Sequence, residues 1–229
     1  MLFLAPPPFG PAFWTSVIER LSESNLYSTS CSPFQFSKTE RSSQIRSMLS
    51  YCSSDKRILV AHGHSTPIAW ELAAAGEVDL LVLSNGPITQ HWLSKTIGKL
   101  PKGLLRTAMH PSISLPIFWS SAMFRRLVIN PYVMAPEEVR RLCEAQLTSA
   151  QQRKELVNYF HYLSTWNPQR LPDSCTVTAI WGNADPLFPV PQCSTFRQVH
   201  EIDGGAHFHP FERPWALADI LAQLCDELS

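Results

Sequence analysis

The apolar positions of this chain follow two alternating rhythms. Short unbroken apolar runs, MLFLA at 1–5, RILVAH at 57–62, VDLLVLS at 78–84 and CTVTAIW at 175–181, have the length and aliphatic content of strands buried on both faces. Between them apolar residues recur at helical spacing, as Phe13, Trp14, Val17, Ile18 and Leu21 do within 12–24, and as TPIAWELAAAG does at 66–76. The pattern further predicts a strand within 25–33, a polar helix over 38–51, a helix over 191–199, a strand at 200–203 and an amphipathic helix over 213–228. Alternation of this kind predicts an α/β fold: a mostly parallel sheet of about six strands with helices on both faces.

One stretch breaks the alternation. From Asn85 to Asn167 the strands vanish, and helical segments separated by Pro101, Pro111, Pro116, Pro131 and Pro136 take over. A helical block between two halves of one sheet reads as an inserted lid over 87–167, with 1–86 and 168–229 forming the core.

Composition narrows the classes. Hydrophobic residues make up 45% of the 229, enough to bury the core of a single domain of this size. The formal net charge is zero, so no global field favours nucleic acid or a membrane surface. The N-terminal apolar run has no basic flank and is stopped by Pro6, and no stretch reaches the roughly 18 apolar residues of a spanning helix. The six cysteines are scattered without a C-x-x-C pair, which suits a reducing compartment, so a cytoplasmic protein is expected.

Candidate chemistry sits at strand ends. Ser65 follows ILVAHGH, Asp185 lies in GNADPLFP after the strand ending at Trp181, and His207 lies in a glycine-rich turn, EIDGGAHFHPFERP. In a parallel sheet these loops open at one carboxyl edge, where a hydroxyl, a base and an orienting carboxylate can converge. Asp173 precedes its strand and Asp203 stands close to His207 in sequence, so Asp185 is the expected acid. His62 and His64 flank the turn, but no Cys, Asp or Glu cluster accompanies them, so no metal and no cofactor is expected.

GHSTP, GNADPLFP and GGAHFHPFERP, in that order, resemble the α/β-hydrolase family, and the resemblance spans nearly the whole chain. It implies Ser65 as nucleophile, His207 as general base and then acid, and Asp185 as its orienting partner. The N–H of Thr66 would be one oxyanion donor. Three departures stand out. Pro67 replaces the second glycine of Gly-X-Ser-X-Gly, a change the first turn of a helix tolerates. The oxyanion loop reads APPPFG, whose prolines carry no N–H, leaving Phe9 and Gly10 as candidate donors. The two antiparallel strands that open the family fold have no counterpart. Such an oxyanion loop fits an active enzyme with a rearranged oxyanion hole or an inactive relative.

The lid adds a charge pattern. Between Asp79 and Glu137 there is no acidic residue, while Lys95, Lys99, Lys102, Arg106, Arg125 and Arg126 all fall there. This is either a solvated basic face or a surface attracting an anionic substrate or carrier protein. His64 would wall the site, and Trp92, Phe118, Trp119 and Phe124 would line an acyl-sized pocket. The expected activity is cleavage of an ester or thioester through an acyl-enzyme, with some likeness to small carboxylesterases acting on carrier-bound methyl esters. A non-catalytic relative binding a ligand or protein, and an acyltransferase, are the alternatives.

Overall fold

The aliphatic runs assemble into one sheet. The computed structural model describes residues 1–37, 39–52, 56–120, 127–128, 136–192 and 194–227. Its strands are β1 (Leu2–Leu4), β2 (Thr29–Cys31), β3 (Ile58–His62), β4 (Leu80–Ser84), β5 (Thr176–Gly182) and β6 (Gln198–Ile202). They form a six-stranded sheet in the order β2-β1-β3-β4-β5-β6, every neighbouring pair parallel. The central pair explains the unbroken apolar runs: Leu59, Val60 and Ala61 of β3 and Leu81, Val82 and Leu83 of β4 are fully buried.

Helices α1 (Thr15–Glu23), α2 (Arg41–Cys52) and α3 (Thr66–Ala74) follow the first three strands in the predicted alternation. The C-terminal helix, Pro214–Asp226, buries Leu217, Ala218, Leu221 and Leu224 and packs on α1, which buries Val17 and Leu21. Between β4 and β5 come α4 (Trp92–Gly98), α5 (Lys102–Ala108), α6 (Pro111–Ser120), α7 (Pro136–Thr148) and α8 (Ala150–Leu163). Helix α3 packs on β3 and β4 and buries every residue except Glu71 and Ala74; its Trp70 indole N–H donates to the Gln169 carbonyl at 2.7 Å.

One predicted element is absent. The described residues of 191–197 form no helix, and β6 already begins at Gln198. Pro186, Pro189 and Pro191 crowd this segment, and too few residues remain before the strand for a helical ladder. Among the described residues, no helix is long and apolar enough to cross a membrane. Cys143 and Cys175 are free thiols, Cys31 is buried and Cys225 is half-buried; the Cys52 side chain and Cys193 lie outside the described residues.

Candidate active site

β3, β4 and β5 deliver their carboxyl ends to one edge of the sheet, and the β6–helix turn meets them there. Asp185 and His207 lie at that edge. His207 Nδ1 donates to Asp185 Oδ2 at 2.8 Å, and the Asp185 side chain is fully buried. Every lone-pair direction of this carboxylate is used: Oδ1 accepts from the Leu187 N–H at 2.7 Å and the Phe188 N–H at 3.3 Å, and Oδ2 also accepts from Asn85 Nδ2 at 2.6 Å. Burial alone would raise the Asp185 carboxyl, but the bond and charge of His207, with the Asn85 and Leu187 donors, hold it below the usual range. It therefore stays ionised and fixes the imidazole with Nδ1 protonated and Nε2 free to accept a proton.

Asn85 is a site residue that the strand-end reading passed over. Its Oδ1 accepts the Gly182 N–H at 2.8 Å while its amide reaches Asp185, so one side chain clamps the end of β5 and the acid together. The signal was present as Asn-Gly directly after β4, a pair that otherwise reads only as a turn. Gly86 beside it is obligatory by close approach, since a Cβ there would lie 2.4 Å from the Gly63 carbonyl oxygen.

The strand-to-helix turn is present, but its register differs from the expectation by two residues. The residue with positive φ, at +55°, is Gly63, which directly follows β3. A Cβ built on Gly63 would lie 3.7 Å from His207 Nε2 and 3.2 Å from Pro6 Cβ, so the His207 ring faces position 63. Ser65 lies two residues further on, fully buried, with its hydroxyl donating to the Leu4 carbonyl at 3.1 Å and the His62 carbonyl at 2.7 Å. It also accepts the His62 N–H at 3.2 Å, and no hydrogen bond joins it to His207. Read in this register, Ala61-His62-Gly63-His64-Ser65 has small residues at both flanks of the vertex. Pro67 then falls in the first turn of α3 instead of at the second small position.

The expected oxyanion donors are occupied. The Phe9 N–H donates to the Pro6 carbonyl at 2.7 Å and the Gly10 N–H to the Leu142 carbonyl of α7 at 3.1 Å. The Thr66 N–H closes the turn on the Gly63 carbonyl. With Gly63 at the vertex, the N–H one residue beyond it belongs to His64.

Aromatic and imidazole rings surround the base. Phe188 lies 5.6 Å from the His207 ring, Phe208 5.0 Å and His62 5.1 Å. His91, not anticipated from the sequence, packs 4.5 Å from Phe188 and 6.3 Å from His64. Trp92, expected as a pocket wall, is 59% exposed at the start of α4, with its ring 5.6 Å from that of His91. The side chains of Phe118 and Trp119, and all of Phe124, lie outside the described residues. Beneath the base, Ser84 Oγ lies 2.9 Å from both His62 Nδ1 and His209 Nε2. One hydroxyl proton serves both contacts, so one ring accepts from Ser84 while the other donates to it, as two neutral imidazoles can. Burial pushes His62 well below the ordinary histidine value and His64 and His209 down to about 3. Among the described residues no group of three or more His, Cys, Asp or Glu is gathered to hold a metal ion.

No family model matches this chain, and no curated protein sequence does. Solved structures do. The epoxide hydrolase CorEH superposes with a TM-score of 0.74 at 14% identity, covering 100% of this chain and 91% of that one. A thermophilic esterase from Thermogutta terrifontis gives 0.70 at 12% identity, covering 99% and 89%. A bromoperoxidase from Bacillus anthracis gives 0.65 at 13% identity, covering 100% and 91%. The chain therefore has the fold of the α/β-hydrolase superfamily, with an Asp–His pair at the edge where that fold exposes its strand ends.

Proposed function

We propose that this chain is a hydrolase whose Asp185–His207 pair acts directly on water, cleaving a small ester or thioester in one step without an acyl-enzyme. The observation that carries the reading is the glycine at the vertex facing His207 Nε2. A water molecule in the space a side chain would fill attacks the carbonyl, and Nε2 takes its proton. The imidazolium, stabilised by the ionised Asp185, then returns that proton to the departing alcohol or thiol. Ser65 keeps a structural role in the turn. With no residue to carry an acyl group, transfer to another acceptor is not favoured. The esterase and the epoxide hydrolase that share the fold support a hydrolytic reaction in general.

Oxyanion stabilisation falls mainly to the His64 N–H, because three prolines and two occupied amides fill the opposite loop. A missing donor of this kind typically costs about 10²–10³ in rate, so activated esters are the expected substrates. The same loop favours a second reading, a non-catalytic relative that binds a ligand at this edge. The exposed Lys95 of α4, Lys99 just after it, and Lys102 and Arg106 of α5 support an anionic carrier for the acyl group. Charge reversal of Lys99 and Arg106 would then impair carrier-bound esters far more than neutral ones.

The deciding experiment measures hydrolysis of p-nitrophenyl esters alongside labelling by a fluorophosphonate. We expect slow turnover without a burst, no labelling of the wild type, and a loss of about 10²–10⁴-fold in His207→Ala. Turnover equal to that of His207→Ala points to the binder, and a labelled serine in the wild type overturns the water mechanism.

A further inference from the structure

A second polar recess lies away from the dyad, between α2, α3 and α8. It is a cavity of about 170 Å³ whose floor carries Arg41 and Tyr159 and whose walls carry Glu71, Glu155, Asn158 and Tyr162. Arg41 is only 8% exposed, which is unusual for a guanidinium. Its Nε donates to the Pro33 carbonyl at 2.8 Å, and its central carbon lies 5.6 Å from the Phe34 ring and 5.5 Å from the Tyr159 ring. Arg41 lines the cavity, and its terminal nitrogens make no hydrogen bond to any described residue. Burial lowers this guanidinium, while Tyr159, Glu155 and Glu71 favour its charged form. A planar donor fork held in place by two rings, with its outer edge unpaired, is a ready carboxylate receptor.

The walls have the opposite charge. Glu155 is half-buried, with Oε1 accepting from Gln151 at 2.8 Å, and Glu71 stands at the exposed mouth, where it accepts the Tyr162 hydroxyl. The recess carries one cation and two carboxylates, so a simple anion finds a partner only at the floor and a simple cation only at the walls. A molecule carrying both charges a few ångströms apart satisfies both.

The geometry points to a binding site for a small zwitterion of the free α-amino-acid class, its carboxylate on Arg41 and its ammonium between Glu155 and Glu71. The site is independent of what the dyad does, although one link exists: the Tyr159 hydroxyl donates to the His64 carbonyl at 2.6 Å, joining the floor of the recess to the turn beside His207.

The test is thermal denaturation of the full chain with each of the standard free amino acids at millimolar concentration, followed by calorimetric titration of any that raise Tm. The expected result is at least one amino acid that binds, with its methyl ester and its N-acetyl derivative each at least tenfold weaker. Arg41→Met and Glu155→Gln should each weaken binding at least tenfold. If Arg41→Met fails to fold, Glu155→Gln and the two ligand derivatives still decide the matter. No Tm shift from any amino acid, an N-acetyl derivative binding as well as its parent, or binding indifferent to Glu155→Gln would each overturn the assignment.

Discussion

Ser65 and Gly63 divide between them what one residue was expected to do. The Ser65 hydroxyl donates to two buried carbonyls and accepts one N–H, so its removal leaves buried polar groups short of partners. Ser65→Ala should therefore cost about 1–3 kcal/mol in urea unfolding while turnover per folded molecule changes less than threefold. Loss of turnover with unchanged stability would return the nucleophile to Ser65. The reciprocal change is Gly63→Ser. A side chain at φ +55° is strained and presses on Pro6, so the variant should lose about 1–2 kcal/mol. In exchange it places a hydroxyl beside His207 Nε2 and should acquire fluorophosphonate labelling that the wild type lacks. Absence of labelling in a folded Gly63→Ser protein would mean that His207 does not address position 63 in solution.

At the scale of elements, the difficulty of the sequence was one of register within a correctly placed turn. The strand at 57–62, the helix after it and the turn between them are all legible, because an aliphatic run followed by an apolar helix allows few other readings. Ala61, Gly63 and Ser65 put small residues at every second position, so the vertex can be placed at Gly63, with small flanks on both sides, or at Ser65, where Gly-X-Ser is present but Pro67 takes the second small position. What separates them is backbone strain: the vertex needs a left-handed residue, and glycine meets that need without the penalty a serine incurs. Asp185 and His207 were legible because each follows a strand at the carboxyl edge in a turn-forming context. Asn85 was not, since its role arises from β4 and β5 lying side by side, a relation that pattern alone does not fix. The helix read at 191–199 failed for a local reason, the cluster of prolines before it. The same element scale holds the link from α8 to the turn. Tyr159→Phe removes the bond to the His64 carbonyl, and we expect a loss of about 0.5–1.5 kcal/mol together with faster amide exchange in α8. Unchanged exchange there would show that packing alone holds this helix on the sheet.

For the whole molecule, the strand-end edge concentrates neutral imidazoles in the interior, and this couples folding to pH. His62 and His209 are fully buried, His62 held well below its ordinary value and His209 at about 3, in both cases chiefly by desolvation. In the unfolded chain both titrate near 6.5. Below that value the unfolded state binds protons that the native state does not, so stability falls as pH drops and rises as pH increases. The window for His209 runs from about 6.5 down to about 3, with a slope of roughly 1.4 kcal/mol per pH unit for each histidine kept neutral. Asp185 acts in the same direction at lower pH: its depressed value adds stability above the unfolded carboxylate range that is lost on acidification. Urea unfolding between pH 7 and pH 5 should therefore show a steep loss of stability. His209→Gln, whose amide can still donate to Ser84 Oγ, should flatten that slope by about one proton while lowering stability at pH 7 only modestly. A variant slope equal to the wild type's would mean that His209 is already protonated in the native protein, and the pairing of both rings through Ser84 would have to be redrawn with one of them charged.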